Sequence, residues 1–154
     1  VKGVNRAWDA GLVVVVAAGN NGPRTMSITT PGISRKVITV GCSDDDREVL
    51  VGGNRMVDYS GRGPTAACIC KPDLVAPGCS VVSCAGRADK YTIKSGTSMS
   101  TPIVSGATAL LLERYPDMTN KDVKLKLRES CTDIGLPRNQ QGWGLLDVEK
   151  LVSK

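Results

Sequence analysis

Residues 12–18, LVVVVAA, set the strongest constraint on the fold. The run is apolar throughout, with no alternation that could leave one face wet. Its β-branched side chains favour extended backbone. Closed by Gly19-Asn20-Asn21-Gly22-Pro23, it reads as a strand over Leu12–Ala18 buried on both faces. Strands of that kind belong to parallel sheets, whose two faces are covered by helices.

The rest of the chain supplies the layers. Residues 1–10 (VKGVNRAWDA) read as the end of a helix, stopped by Gly11. Val37–Val40 (VITV) is a second short buried strand, and the Pro- and Gly-bearing stretch between the two is loop. Residues 57–78 hold short apolar pieces broken by Gly and Pro. SVVSCA and YTIKSG, on either side of GRAD, predict a β-hairpin. Thr101-Pro102 has the form of a cap and a first-turn proline. The stretch it opens is apolar nearly all round, which predicts a central, buried helix. Gly106, Ala107 and Ala109 leave little bulk there, so its neighbours must come close. Pro116 ends it. Thr119 to Asp122 matches a capping box and opens an amphipathic helix through about Glu129. The closing GWGLLDVEKLV is a glycine turn and a short helix. The order strand, strand, hairpin, helix, helix is an α/β arrangement. The 154 residues suit one domain.

Composition removes several function classes. Apolar residues make up 41% of the chain, which excludes disorder. No stretch reaches the roughly 18 to 20 apolar residues of a membrane span, so no membrane partner is expected. The net charge of +5 could suit nucleic acid. The positive residues are scattered, however, and aromatics for base stacking are only 3%, so none is expected. Lys121, Lys124, Lys126 and Arg128 alternate with Val123, Leu125 and Leu127 and read as the wet side of a helix. Asp44 to Glu48 lacks the acid-and-glycine pattern of a calcium loop and reads as solvated. Six cysteines occur: Cys42, Cys68, Cys70, Cys79, Cys84 and Cys131. Cys68, Cys70, Cys79 and Cys84 could offer four thiolates to zinc, but C-x2-C pairs and histidine are lacking. The favoured reading is free thiols acting as small buried apolar residues, with no metal or cofactor. Free thiols lean towards a reducing, cytoplasmic compartment.

Two motifs carry chemistry. Ser98, in SGTSMSTP (95–102), stands at the mouth of the apolar helix. A helix amino end offers unpaired N–H groups and a positive dipole, an anion site beside the serine oxygen. Taken singly, Ser98 reads as an ordinary helix cap. Asn20 leaves the carboxyl end of the strand, where open α/β sheets place their sites. Its amide could donate to a developing oxyanion. Taken singly, the stretch reads as a turn at Asn21-Gly22.

In this order, AAGN (17–20) and SGTSMSTP resemble the subtilisin-like serine peptidases. The similarity continues through SGRGP (60–64), KPDLVAPG (71–78) and GWGLLDVEKLV (142–152). The resemblance implies a partial subtilisin-like α/β fold: a mostly parallel sheet, flanking helices and a buried central helix after the nucleophile. It implies a serine-type endopeptidase acting on peptide or protein substrates. Ser98 would be the nucleophile, with Asn20 and the Ser98 backbone N–H as oxyanion hole. Ala17, Ala18 and Gly19 would form one wall of the S1 pocket. Thr29 falls where a pocket-floor glycine often sits, which would exclude the largest aromatic P1 groups. Ile103 stands where many members carry a non-catalytic histidine.

The family's Asp and His motifs precede these segments, and this chain contains neither motif and no histidine. Residues 1–154 are therefore expected to be the C-terminal portion of one peptidase domain, inactive alone, with the N-terminal half as partner. The alternative is a non-catalytic interaction module on the same fold. The family is often secreted, and structural calcium in the full-length protein has no assignable site in this chain. The Leu12–Ala18 strand would lose a neighbour and expose an apolar edge, so self-association, as a twofold dimer, is expected.

Overall fold

Three parallel strands carry the molecule. The computed structural model describes residues 1–86 and 90–153. The chain runs α1 (Lys2–Asp9), β1 (Val15–Ala17), β2 (Ile38–Cys42), β3 (Val49–Val51), β4 (Asn54–Met56), β5 (Leu74–Ala76), β6 (Val81–Cys84) and β7 (Tyr91–Lys94). Then come α2 (Thr97–Arg114), α3 (Asn120–Ser130), α4 (Arg138–Gln141) and α5 (Val148–Val152). β1, β2 and β5 form the parallel sheet in that order, with Val15 opposite Ile38 and Val40 opposite Leu74. Two antiparallel hairpins, β3–β4 and β6–β7, stand apart from it.

β2 is the buried centre: all five of its residues are enclosed. Ile38 and Val40 join Leu74, Ala76, Val104, Ala107, Leu111, Val123, Leu127 and Leu151 in the main core. A fully buried Val or Ile of this kind stabilises the fold by about 1.5–3 kcal/mol. α2, α3 and α5 cover that face of the sheet. Behind it, Gly41 lies against Ser60 and Pro72, so a loop closes the other face.

Several expectations need correction. β1 covers only Val15–Ala17, and among the described residues it pairs with β2 alone. Its open edge is the one expected from the sequence, but burial on both faces is not seen: Val13 to Val16 are half-buried and Leu12 is 60% exposed. The valine run supplies two apolar faces, and α2 is the layer that packs on one of them. α2 begins at Thr97 with Gly96 as cap, one turn before Thr101-Pro102. Pro102 therefore sits inside the helix, where it has no N–H to give to the Ser98 carbonyl. α2 is also buried on one side only. Val104, Ala107, Thr108 and Leu111 face the sheet, while Pro102, Ser105, Gly106, Ala109 and Leu110 are exposed. A single sheet layer gives a helix one face to pack on.

The β6–β7 pairing matches the expected hairpin, although most of GRAD lies outside the described residues. The β3–β4 hairpin was not expected; Gly52 and Gly53, both at positive φ, turn it. The Thr119–Asp122 capping box is formed in both directions. The charged run 44–48 is not a uniformly solvated loop: Asp45 is buried and accepts from the Ser60 N–H at 2.7 Å, while Asp46, Arg47 and Glu48 are exposed. Lys124, read as wet, turns inward and donates to the Lys36 and Val37 carbonyls at 2.9 and 3.0 Å.

Candidate active site

The carboxyl end of β1 meets the amino end of α2. β1 passes through Ala18, whose N–H donates to the Val40 carbonyl at 2.8 Å, and ends at Gly19 and Asn20. Gly19 has φ +96, and a side chain there would collide with Thr29. The Thr29 hydroxyl donates to the Ala18 carbonyl at 3.3 Å. So Ala18, Gly19 and Thr29 form one wall, continuous with Ala17 in β1.

Across from this wall, Thr97 binds Asn20 twice. The Thr97 N–H and its hydroxyl each reach Asn20 Oδ1 at 3.0 Å. The Gly19 N–H donates to Thr97 Oγ1 at 3.2 Å, closing a ring between segments some 77 residues apart. Only the carbonyl end of an amide can accept these bonds. Asn20 Nδ2 is therefore left as a free donor pair among the described residues. Gly96 makes room for it: a Cβ there would lie 3.1 Å from Nδ2. Thr97 was not singled out by sequence reasoning, where it was one letter of the motif around Ser98.

Ser98 is the second residue of α2 and is exposed. Its N–H belongs to the helix's first turn and has no intrahelical partner. The structure thus brings Asn20 to Thr97, next to the exposed Ser98, with a helix amino end and an amide nitrogen that makes no hydrogen bond among the described residues. Such an arrangement can present a nucleophilic oxygen beside two N–H donors. Ile103 is half-buried against the main core.

Charged groups support the sheet from below. Lys71, 1% exposed, donates to Asp73 Oδ2 at 2.5 Å and to the Val37 carbonyl at 2.9 Å. Asp73 accepts from the Thr39 N–H at 2.7 Å, and Lys124 lies 3.5 Å from its other oxygen. Burial pushes the Lys71 ammonium down to about 8, against the opposing pull of Asp73. Burial also lowers Lys124, again against Asp73.

The cysteines divide unexpectedly. All six are free thiols, but Cys68, Cys70 and Cys84 are exposed, so the buried-apolar reading fails for half of them. The lean towards a cytoplasmic compartment loses that support. Cys79 does not gather with Cys68, Cys70 and Cys84; it lies with Cys42 and Asp44 instead. Burial raises both the Cys42 and the Cys79 thiols.

Comparison with known proteins gives the context. The model of the subtilase family matches residues 1–144. Serine protease AprX of Bacillus subtilis (strain 168) is 41% identical, over 86% of this chain and 33% of that protein. Subtilisin DY of Bacillus licheniformis is 35% identical, over 96% of this chain and 49% of that protein. The halolysin-like extracellular serine protease Nep of Natrialba magadii is 33% identical, over 93% of this chain and 24% of that protein. The chain thus spans half or less of these relatives. In fold, it matches the solved structure of the prenylagaramide maturation protease PagA with a TM-score of 0.75 at 24% identity, over 98% of this chain and 53% of that one. The α/β architecture is a partial subtilisin-like fold, and the chain belongs to the subtilase family.

Proposed function

We propose that this chain supplies the nucleophile and the oxyanion donors of a serine endopeptidase. Ser98 attacks the scissile peptide carbonyl. Its proton passes to a histidine outside residues 1–154, since these contain none, and an aspartate, also outside them, orients that histidine. The Asn20 Nδ2 and the Ser98 N–H receive the oxyanion. Ala17, Ala18 and Gly19 form one wall of the S1 pocket, with Thr29 at its floor. The observation that supports this most is the double hold of Thr97 on Asn20 Oδ1, which leaves the amide nitrogen free beside an exposed Ser98. A module that only bound partners would need neither a free amide donor nor an exposed serine at this junction.

The test compares two proteins on one chromogenic peptide. The full-length protein should turn over, and Ser98→Ala should abolish turnover. The chain of 1–154 alone should fall short by about 10⁶-fold, the loss known in subtilisin when its base is removed rather than a value derived from this geometry. Turnover by the isolated chain, abolished by Ser98→Ala, would show that no external histidine is needed. Full activity in the Ser98→Ala variant would remove the nucleophile assignment.

A further inference from the structure

Near the nucleophile turn, the end of β2 and the loops leaving β2 and β5 bring together two sulfurs and a carboxylate. Cys42 Sγ, Cys79 Sγ and a carboxylate oxygen of Asp44 all lie within 4.8 Å of one another. Cys42 Sγ is 3.1 Å from Asp44 Oδ1. Tyr59 Oη lies 3.2 Å from each sulfur. We propose that Cys42, Cys79 and Asp44 form a binding site for a thiophilic divalent cation of the zinc class.

The spacing carries the argument. With metal–sulfur bonds of about 2.3 Å and metal–oxygen bonds of about 2.0–2.2 Å, tetrahedral ligand atoms lie about 3.5–3.8 Å apart. The Cys42–Asp44 contact of 3.1 Å needs to open by only a few tenths of an ångström, and the other two pairs, within 4.8 Å, bracket the required spacing. The donor set fixes the class of ion: two sulfurs and one oxygen suit zinc or cadmium and not the hard, oxygen-seeking calcium or magnesium.

The site is also held in shape before any ion arrives. Asp44 Oδ1 accepts from the N–H groups of Gly78 and Cys79 at 2.7 and 3.1 Å. Tyr59 Oη donates to the Gly78 carbonyl at 3.3 Å. Fixing ligands through such outer hydrogen bonds is how metal sites are tuned. Cys42 is buried and Cys79 is half-exposed, so the ion enters from the Cys79 side, where water takes the fourth position. Uptake replaces two thiol protons by one dication, and both protons pass to solvent. The site adjoins the active centre: the Gly78 carbonyl also accepts from the Gly96 N–H at 2.9 Å, two residues before Ser98.

The experiment uses the full chain with exposed Cys68, Cys70 and Cys84 changed to Ser, kept reduced by a non-thiol reductant. Cadmium ion is titrated and the sulfur-to-metal charge-transfer absorption is read. One cadmium per chain is expected, together with a raised thermal midpoint and protection of Cys79 from alkylation. Cys79→Ser, at a half-exposed position that leaves the core intact, should weaken binding at least about tenfold and abolish the midpoint shift. An absorption and affinity unchanged in Cys79→Ser, or no saturable binding at all, overturns the site. Asp44→Asn adds a second arm: it keeps the side chain's shape and its acceptor oxygen, and it too should weaken cadmium. Undiminished affinity there removes Asp44 from the ligand set and overturns the three-ligand proposal.

Discussion

Asn20 is held by its acceptor end, and that decides what the other end can do. Thr97 occupies Oδ1 with two bonds, so Nδ2 can only donate elsewhere. Asn20→Ala in the full-length enzyme is expected to lower kcat about 10²–10³-fold with little change in KM. That size is the one established for the side-chain donor of subtilisin. Steady-state kinetics on one peptide checks it, and a raised KM at unchanged kcat would mean that Asn20 positions substrate instead. Asn20 and Ser98 were legible in the sequence because each sits at a recognisable junction, a strand end and a helix mouth. Thr97 was not, because its role is a contact 77 positions away. Asp44 was hidden for a similar reason. It begins a charged run that looks solvated, and only the fold shows that its carboxylate turns back onto the Gly78 and Cys79 amides.

Among the elements, the sheet and α3 are joined by buried charge. Lys71 and Lys124 meet the two carboxylate oxygens of Asp73 and share the Val37 carbonyl, while Asp73 accepts from the Thr39 N–H. The ammonium of Lys71 titrates near 8 when folded, against an ordinary value of 10.5. Between those values the unfolded chain holds a proton that the folded chain has released. The Lys71 contribution to stability therefore rises with pH across that window and is flat below it. Cys42 and Cys79 are raised, so above their ordinary value of 9.0 they act with the opposite sign. The difference between wild type and Lys71→Met isolates the lysine. Urea unfolding from pH 7 to 10.5 should show wild type gaining on the variant by on the order of 3 kcal/mol, and a constant difference would place Lys71 at its ordinary value. Periodicity located α3 and its capping box, because that signal is local. It misread Lys124, because alternating charge looks alike on a wet face and on one that reaches a buried carboxylate. The helix after Ser98 was likewise found but entered one turn late, because Pro102 looks like a starting residue and Gly96 does not.

For the molecule as a whole, the order of layers and the open edge of the first strand were readable from the sequence, but the bare outer side of α2 was not. β1 pairs only with β2 among the described residues, Leu12 is 60% exposed, and Leu110 on the outer side of α2 is 51% exposed. An apolar, uncharged strand edge invites a second chain, and a twofold axis lets one edge satisfy another. Light scattering after size exclusion is expected to give the mass of two chains, with Val14→Lys shifting it to one. A single-chain mass at micromolar concentration, unmoved by Val14→Lys, would show that the edge is protected in place. On the proposed reading, the open side of β1 also works as an interlock. The segment expected to pair with this edge would belong to the same half of the domain that is proposed to bring the histidine to Ser98. Closing the seam and arming the nucleophile are then a single event, so a half-assembled peptidase is adhesive but harmless, and an armed one has no sticky edge left to offer.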